Sequence, residues 1–286
     1  MPELPEVETA RRSLHRAVVG RAIARVAVLR PAAVRSHTAD GFARALRGAA
    51  ITDVLRRGKA LWFMLDHRVL VFHYMLWGVI RHRPAAAGGG VRAAGSPGQS
   101  RLAPQAQNAA ASPGASVVLY LDDGSTLEFR DLQLSRFALL RAGAKDVDQP
   151  EAIEPLAPTT TFEVFRRALG QKGRIKAALS DQDRIAGIGN LWAHEILFDA
   201  GLRPDRSLGG LSVSEMRALY RKTRQVLRNA VEAGGEPEFQ DVFGQRGRYR
   251  LMVYGRAGQA CRVCGARIRG GRLGGRPTFF CPSCQR

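Results

Sequence analysis

The chain opens on residues that can do amine chemistry, Met1-Pro2-Glu3-Leu4-Pro5-Glu6. Once Met1 is removed, Pro2 carries a secondary amine, and an α-amino group titrates near about 8 where lysine titrates near about 10.4. A secondary amine that attacks a sugar carbon forms an iminium, the electron sink that β-elimination requires. Glu3 could protonate the sugar ring oxygen, and Glu6 could assist proton transfer or orient the terminus. The alternative is a plain helix start, where acidic residues favour the positive dipole end.

The four cysteines form a second chemical pattern at the other end of the chain. Cys261 and Cys264 make one Cys-x2-Cys pair, and Cys281 and Cys284 make another sixteen residues later. Two pairs at this separation match a four-thiolate zinc site between two knuckles of a β-ribbon. Two disulfides are the alternative, which the lack of an export signal disfavours. We predict one structural Zn²⁺, because four thiolates leave no open position for water.

The composition favours a polyanionic partner. The 286 residues carry 44 Lys and Arg against 25 Asp and Glu, a net charge of +19 with a pI near 11.1. Such an excess suits nucleic acid, although a genome that favours Arg and Ala throughout would give the same bias. The sequence has neither a long apolar run nor a secretory signal, so we expect no membrane span and a cytoplasmic, nucleoid-associated protein.

The elements that must position these residues change character near the middle of the chain. Apolar residues at helical spacing predict a helix over Leu4–Val18, ended by Gly20. Short β-type runs follow, and Asp123-Gly124 between two of them is a hairpin signal. The predicted strands are Ile23–Leu29, Ile51–Leu55, Leu61–Leu65, Val69–Phe72, Val117–Leu121, Thr126–Phe129 and Phe137–Leu140. We therefore predict an antiparallel sandwich or barrel, interrupted by a flexible low-complexity loop over residues 85–115.

From about Glu151 the apolar spacing becomes helical. The predicted helices are Thr161–Leu169, Ile175–Leu179, Leu191–Ala200 and Val213–Ala233. Capping boxes are predicted at Thr160/Glu163 and at Ser212/Glu215. After about Phe239 we expect a short β element in the run VYGRAG that leads into the zinc ribbon. The fold class is thus α+β, with a β-sandwich domain over 1–145, a helical domain over 151–238 and a β-hairpin zinc finger over 239–286.

Four motifs in the same order resemble the formamidopyrimidine-DNA glycosylase/endonuclease VIII family. They are the opening MPELPEVETARR, the run Arg57-Gly58-Lys59-Ala60-Leu61, the run QDRIAGIGN that ends at Asn190, and the cysteine ribbon with Arg276-Pro277-Thr278-Phe279-Phe280. The third resembles the family's helix-two-turns-helix motif. The match runs along nearly the whole chain outside the low-complexity loop, and four independent motifs make it specific.

The resemblance implies roles for single residues. Pro2 would be the Schiff-base nucleophile, Glu3 its acid/base partner, and Lys59 an active-site group that also binds a phosphate. Asn190 and Arg276 would hold phosphates beside an extruded nucleotide. We place Asn190 at the N-cap of the following helix, where free amides attract an anion. Without the resemblance, Lys59 would be interpreted as a solvent-exposed charge on a hairpin, and Arg276 as an exposed residue of the ribbon without a function.

Two further DNA contacts are predicted on the same basis. Lys176 is an additional phosphate candidate. The resemblance makes Met75, Leu76 and Trp77 a wedge that fills the space left by a flipped base, whereas an apolar run is otherwise typical of a buried strand.

Branch markers within the family are mixed. Leu76-Trp77-Gly78 and the run Arg130 to Leu134 look closer to the endonuclease VIII branch, and the segment Asp241–Tyr254 is short where the other branch has a capping loop. Pro5 and the run Glu6-Val7-Glu8 follow the formamidopyrimidine branch. The markers therefore leave the choice of base open.

We predict a monomeric, bifunctional glycosylase and abasic-site lyase that acts on damaged double-stranded DNA through β- and δ-elimination. One alternative is a catalytically silent protein that binds damaged DNA, which would not need Pro2, Glu3 and Lys59 together. A weaker alternative is a zinc-ribbon transcription or RNA-associated protein, which leaves the first 250 or so residues unexplained.

Overall fold

The computed structural model describes residues 1–34, 37–74, 78–85, 112–130, 136–141 and 152–286. The described residues in the first part of the chain form helix α1 (Leu4–Val18), a second short helix α2 (Ala39–Leu46) and eight strands. The strands are β1 (Ile23–Val28), β2 (Ile51–Arg57), β3 (Ala60–Leu65), β4 (Arg68–His73), β5 (Val79–Arg83), β6 (Ala115–Leu121), β7 (Thr126–Arg130) and β8 (Arg136–Arg141).

The strands form two four-stranded antiparallel sheets that pack on each other. One sheet has the order β1-β6-β7-β5 and the other the order β2-β3-β4-β8. Phenylalanine rings from both sheets meet in the core, and the centroids of Phe129 and Phe137 lie 4.7 Å apart. The apolar face of α1 covers this core with buried residues such as Val7 and Leu14. This arrangement confirms the predicted N-terminal helix and antiparallel layers.

Two elements here were not predicted. Helix α2 is capped by the hydroxyl of Thr38, which accepts from the amide of Gly41, and it buries Phe42 and Leu46. Eight residues give too little periodicity for a confident helix from sequence. Strand β5 ends in the polar run Arg81-His82-Arg83, which hides its strand character, yet it pairs with β7 along its length. The Asp123-Gly124 hairpin is confirmed, with Gly124 at φ 84.

Four helices make up the second part of the chain: α3 (Phe162–Leu169), α4 (Ile175–Leu179), α5 (Asn190–Asp199) and α6 (Val213–Glu232). They enclose a separate core around the fully buried Trp192. The capping box at Ser212 and Glu215 is confirmed. The box predicted at Thr160 is wrong by one residue: Thr161 caps α3, and the Thr160 hydroxyl instead donates to the carbonyl of Glu154 at 2.7 Å.

The chain ends in a two-stranded ribbon, β9 (Arg269–Leu273) and β10 (Arg276–Phe280). The β element predicted in VYGRAG is not present: residues 253–258 form turns. The reason is Glu195 on α5, whose buried carboxylate accepts the amides of Met252, Val253 and Tyr254 at 2.7–3.0 Å. These amides therefore have no strand partner, and the segment is tied to α5.

The segment before VYGRAG packs on the first core, not on the ribbon. The amide of His82 on β5 donates to the carbonyl of Val242 at 2.9 Å, and the Val242 side chain is 1% exposed inside the first core. The Ser13 hydroxyl on α1 donates to Asp241 Oδ2 at 3.0 Å. The chain thus returns to the sandwich after α6. Within the described residues, no helix has the length and apolarity to cross a membrane.

Candidate active site

Glu3 joins the two parts of the chain at the first turn of α5. Its carboxylate accepts hydrogen bonds from the backbone amides of Gly189 at 2.6 Å, Leu191 at 3.1 Å and Trp192 at 3.3 Å. The side chain is 4% exposed, and the next amide, that of Leu4, donates to the carbonyl of Gly187 at 2.9 Å. A buried carboxylate is thereby fully satisfied by amides that a helix N-terminus leaves free.

This contact corrects the expectation for Asn190. Asn190 is the first residue of α5, and Gly189 is its N-cap. The amides of Gly189, Leu191 and Trp192 are occupied by Glu3 and are not open to an external anion. The Asn190 side chain turns toward the ribbon, where Nδ2 donates to the carbonyl of Pro277 at 3.3 Å.

Glu6 lies one helical turn behind Glu3 and is 2% exposed. Its Oε2 accepts from the amide of Glu3 and from the indole Nε1 of Trp192, each at 3.0 Å, and its Oε1 accepts from the amide of Glu236 at 3.0 Å. Burial raises the pKa of Glu6 to about 7, against the hydrogen bond from Trp192, which lowers it. A carboxyl group that titrates near neutrality can both give and take a proton at physiological pH.

Lys59 reaches the same point from the β2–β3 turn and is 8% exposed. Burial lowers its pKa, while the nearby Glu3 opposes that shift. A Cβ added at Gly189 would clash with the Glu3 carboxylate and come within 2.7 Å of Lys59 Nζ, so the two side chains converge on this glycine. The structure therefore brings Glu3, Glu6 and Lys59 together.

The turn that carries Lys59 is fixed from the other part of the chain. Gly58 has φ 53, and its amide donates to Glu154 Oε1 at 2.5 Å. Arg56 binds the same carboxylate through Nη2 at 2.8 Å and donates from Nη1 to the carbonyl of Gly58 at 3.0 Å. Because Arg56 is only 11% exposed, this ion pair is better shielded than a surface pair.

A cavity of about 270 Å³ opens beside the terminus. It is lined by Met1, Pro2, Glu6, Tyr74, Gly78, Val79, Ile80, Arg81, Glu236, Glu238, Phe239 and Gln240. Pro2 is half-buried at its wall, and Met1 is 58% exposed. Sequence reasoning missed Arg81, Glu236 and Glu238. The Gly234-Gly235 pair that ends α6 and precedes Glu236-Pro237-Glu238 is the one local signal that could have drawn attention to them.

A larger groove of about 670 Å³ lies between α4 and the ribbon. Arg174, Lys176 and Arg276 line it together with Ser180. Arg276 is exposed and makes one long contact to the Ser180 hydroxyl, 3.4 Å from Nη1. The groove therefore offers free positive charge at its edge.

Lys176 is not an open surface charge. It is 3% exposed, and its Nζ donates to the carbonyl of Pro277 and to Thr278 Oγ1, each at 2.7 Å. Burial, and then the charge of Arg276, lowers its pKa to about 8. Lys176 thus fastens α4 to β10 and has one N–H left for another acceptor.

The four cysteines converge at the base of the ribbon. The ligand atoms of Cys261, Cys264, Cys281 and Cys284 all lie within 4.8 Å of one another, and all four are free thiols. Cys261 and Cys284 Sγ are 3.9 Å apart, and Cys264 and Cys281 Sγ are 3.5 Å apart. Tetrahedral zinc with Zn–S bonds of about 2.3 Å requires sulfur atoms about 3.8 Å apart. These separations fit a structural zinc site and exclude disulfides, whose S–S bond is about 2.05 Å.

The predicted wedge residues Met75, Leu76 and Trp77 lie outside the described residues, as do residues 131–134 of the second branch marker and residues 86–111 of the predicted loop. The loop's predicted end is too late, because Ala115 already belongs to β6.

Comparison with family models matches the chain in three consecutive segments. Residues 1–137 match the formamidopyrimidine-DNA glycosylase N-terminal domain, residues 152–240 its H2TH domain, and residues 258–286 the zinc finger found in FPG and IleRS. The chain belongs to the formamidopyrimidine-DNA glycosylase family. It is therefore a member of a family of DNA repair glycosylases with a structural zinc finger.

Individual relatives agree along the full length. The formamidopyrimidine-DNA glycosylase of Desulfitobacterium hafniense (strain DSM 10664 / DCB-2) is 37% identical over 295 residues and covers 100% of both chains. Two structures of Lactococcus lactis Fpg are 27% identical, each with full coverage of both chains. One, in complex with DNA that contains an oxidised pyrimidine, has a TM-score of 0.83, and the other, with N7-benzyl-Fapy-dG DNA, has 0.84.

Proposed function

We propose that the protein excises oxidised bases from double-stranded DNA and then cleaves the abasic strand, with the imino nitrogen of Pro2 as nucleophile. The observation that carries this proposal is the convergence of Glu3, Glu6 and Lys59 beside a cavity whose wall includes Pro2. Three ionisable groups are buried there at the junction of two cores, which is a costly arrangement for a protein that only binds.

The first step requires a free terminus. With Met1 removed, the Pro2 nitrogen attacks the sugar C1′, and the bond from C1′ to the base breaks with its electron pair leaving on the base. Glu3 is the proposed proton donor to the sugar ring oxygen O4′, whose bond to C1′ then breaks, so that the ring opens and an iminium forms between Pro2 and C1′. Glu6, which contacts the Glu3 amide, is the proposed acceptor of the Pro2 proton because its pKa lies near 7.

The second step cuts the strand. The iminium at C1′ acidifies the C2′ proton, whose loss expels the 3′ phosphate, and a following δ-elimination expels the 5′ phosphate. We propose that Lys59 contacts a phosphate beside the lesion and that Arg276, Asn190 and Lys176 bind the flanking backbone. Met75, Leu76 and Trp77 remain the proposed wedge for the vacated base position. The L. lactis complex with DNA that contains an oxidised pyrimidine supports oxidised bases as the substrate class.

Borohydride trapping tests the mechanism. Met-free protein, verified by mass spectrometry, should become covalently attached to duplex DNA that contains an oxidised base when borohydride reduces the iminium. The matched control is the same protein with an acetylated terminus, which should bind DNA but not be trapped. DNA binding without trapping by the Met-free protein would instead establish the catalytically silent damage-binding protein.

A further inference from the structure

Residues 246–250 form an exposed, arginine-rich segment between α6 and the ribbon. Arg246, Arg248 and Arg250 are all exposed, whereas the intervening Gly247 is buried and Tyr249 is half-buried. The three arginine side chains therefore face solvent.

The backbone of this segment is fixed. The amides of Gly247, Arg248 and Tyr249 donate to the carbonyls of Phe239, Ala233 and Gly235 at 3.0, 2.8 and 3.1 Å. The Tyr249 ring packs edge-on against Trp192, with centroids 4.9 Å apart. The three guanidinium groups are therefore carried on a rigid support that also contacts the indole bound to Glu6.

None of these three guanidinium groups makes a hydrogen bond or ion pair with any residue that the structure describes. Arg56 and Arg206, by contrast, form ion pairs with Glu154 and Glu215. Three like charges held close together without a partner raise the energy of the folded state, and binding of an anion removes that cost.

The position of the row points to the partner. Arg246 pairs through its backbone with Gln240, a residue of the cavity wall beside Pro2. The row thus begins at the rim of the candidate active site.

We propose that Arg246, Arg248 and Arg250 form a second phosphate-binding surface, distinct from the groove of Lys176 and Arg276, that holds the DNA backbone near the rim of the cavity. The surface deepens the proposed function and rests on it. Its ligand is the phosphodiester backbone irrespective of sequence, so it acts on undamaged as well as damaged duplex.

The test is the salt dependence of binding to undamaged duplex DNA, with the dissociation constant measured by fluorescence anisotropy. Neutralising all three phosphate contacts in R246Q/R248Q/R250Q should reduce the slope of log Kd against log salt by about 2.7, because each contact contributes about 0.9. R246K/R248K/R250K, which keeps the charges, should retain the slope of the parent protein.

The matched control is R217Q/R221Q/R228Q on the exposed side of α6, which removes the same net charge. It should change the slope by less than one unit. Equal loss in both triple variants, or an unchanged slope in R246Q/R248Q/R250Q, would overturn the proposal. Failure of the proposed function is recognised separately, as the absence of borohydride trapping in the parent protein.

Discussion

The Glu3 carboxylate accepts the backbone amide of Gly189 at 2.6 Å, although 186 residues separate the two in the chain. This contact, together with the amides of Leu191 and Trp192, docks the N-terminal helix onto α5. The candidate nucleophile at Pro2 is adjacent to Glu3, so its position depends on a helix of the second core.

Glu3→Gln should weaken both folding and catalysis. The glutamine nitrogen cannot accept a hydrogen bond, so at least one amide at the start of α5 loses its partner in a buried site, at a cost of about 1–3 kcal/mol. Loss of the proton donor should slow trapping by about 10²–10⁴-fold. Urea unfolding and single-turnover trapping measure the two effects. Glu163→Gln, at an exposed pair with Arg166, is the control and should change neither.

Gly189→Ala should block the site without backbone strain, because Gly189 has φ −123, which any residue adopts. The added methyl group would displace the Glu3 carboxylate or the Lys59 ammonium. We expect trapping to be lost and the free energy of unfolding to fall by about 1–3 kcal/mol. Gly210→Ala, where the new Cβ meets nothing within 4 Å, should behave like the parent protein. Normal trapping by Gly189→Ala would show that the two side chains do not need this space.

Local patterns were sufficient for most elements of the fold. The spacing of apolar residues predicted α1 with the bounds that the structure has, Leu4–Val18. The zinc site followed from cysteine spacing alone, since the ligand spacing of a ribbon is local. The helix α2 and strand β5 were missed because one is too short and the other too polar to show periodicity.

The site was predictable as a set of residues but not as a geometry. The acceptor of three amides at the start of α5 is the Glu3 carboxylate, which is far away in sequence. No local pattern could therefore show that these amides already have a partner. Lys176 illustrates the same limit: its burial against Pro277 and Thr278 depends on how the ribbon packs on α4. Glu236 contacts Glu6 only because the chain returns to the sandwich after α6.

Arg276→Ala and Lys176→Ala should both weaken DNA binding, but only Lys176→Ala should also lower the free energy of unfolding. Each should lower the salt slope of DNA binding by about one unit if it contacts one phosphate. Arg276 is exposed, so its loss should leave stability nearly unchanged. Lys176→Ala should in addition lower the unfolding free energy by about 1–3 kcal/mol, because Thr278 and the Pro277 carbonyl lose a buried charged donor. A destabilised Lys176→Ala with an unchanged slope would make Lys176 purely a fastening for the ribbon.

Cys264→Ser should release zinc and loosen the ribbon. Removing one thiolate of four leaves an incomplete ligand set, and binding free energy in such sites is folding free energy. We expect loss of metal by elemental analysis and faster amide hydrogen exchange in residues 258–286, because the ribbon opens more often. DNA affinity should fall because Arg276 is carried on β10. Ser283→Ala, which lies between the ligands Cys281 and Cys284, is the control and should keep both zinc and DNA affinity. Full DNA affinity in Cys264→Ser would show that the ribbon does not take part in DNA binding.

His194 should make the protein sensitive to acid. It is fully buried in α5, and burial, followed by the charge of Lys176, lowers its pKa to about 3. An unfolded histidine has a pKa of about 6.5, so between pH 6.5 and 3 unfolding takes up a proton that the folded state excludes. The contribution of His194 to the free energy of unfolding is therefore fully present above pH 6.5. Between pH 6.5 and 3 it is lost by about 1.4 kcal/mol per pH unit as the pH falls.

His194→Asn should remove this dependence. An asparagine can keep the contact with the Asn190 carbonyl but takes up no proton, so its unfolding free energy should fall less steeply between pH 6.5 and 4.5. The gap between the two curves should close by about 2–3 kcal/mol over that range, whatever the offset at neutral pH. Urea titrations at fixed ionic strength measure it, with the exposed His67→Asn as the control. Parallel curves would mean that His194 gains its proton without unfolding, and that the packing of α5 against the ribbon opens at mild acidity.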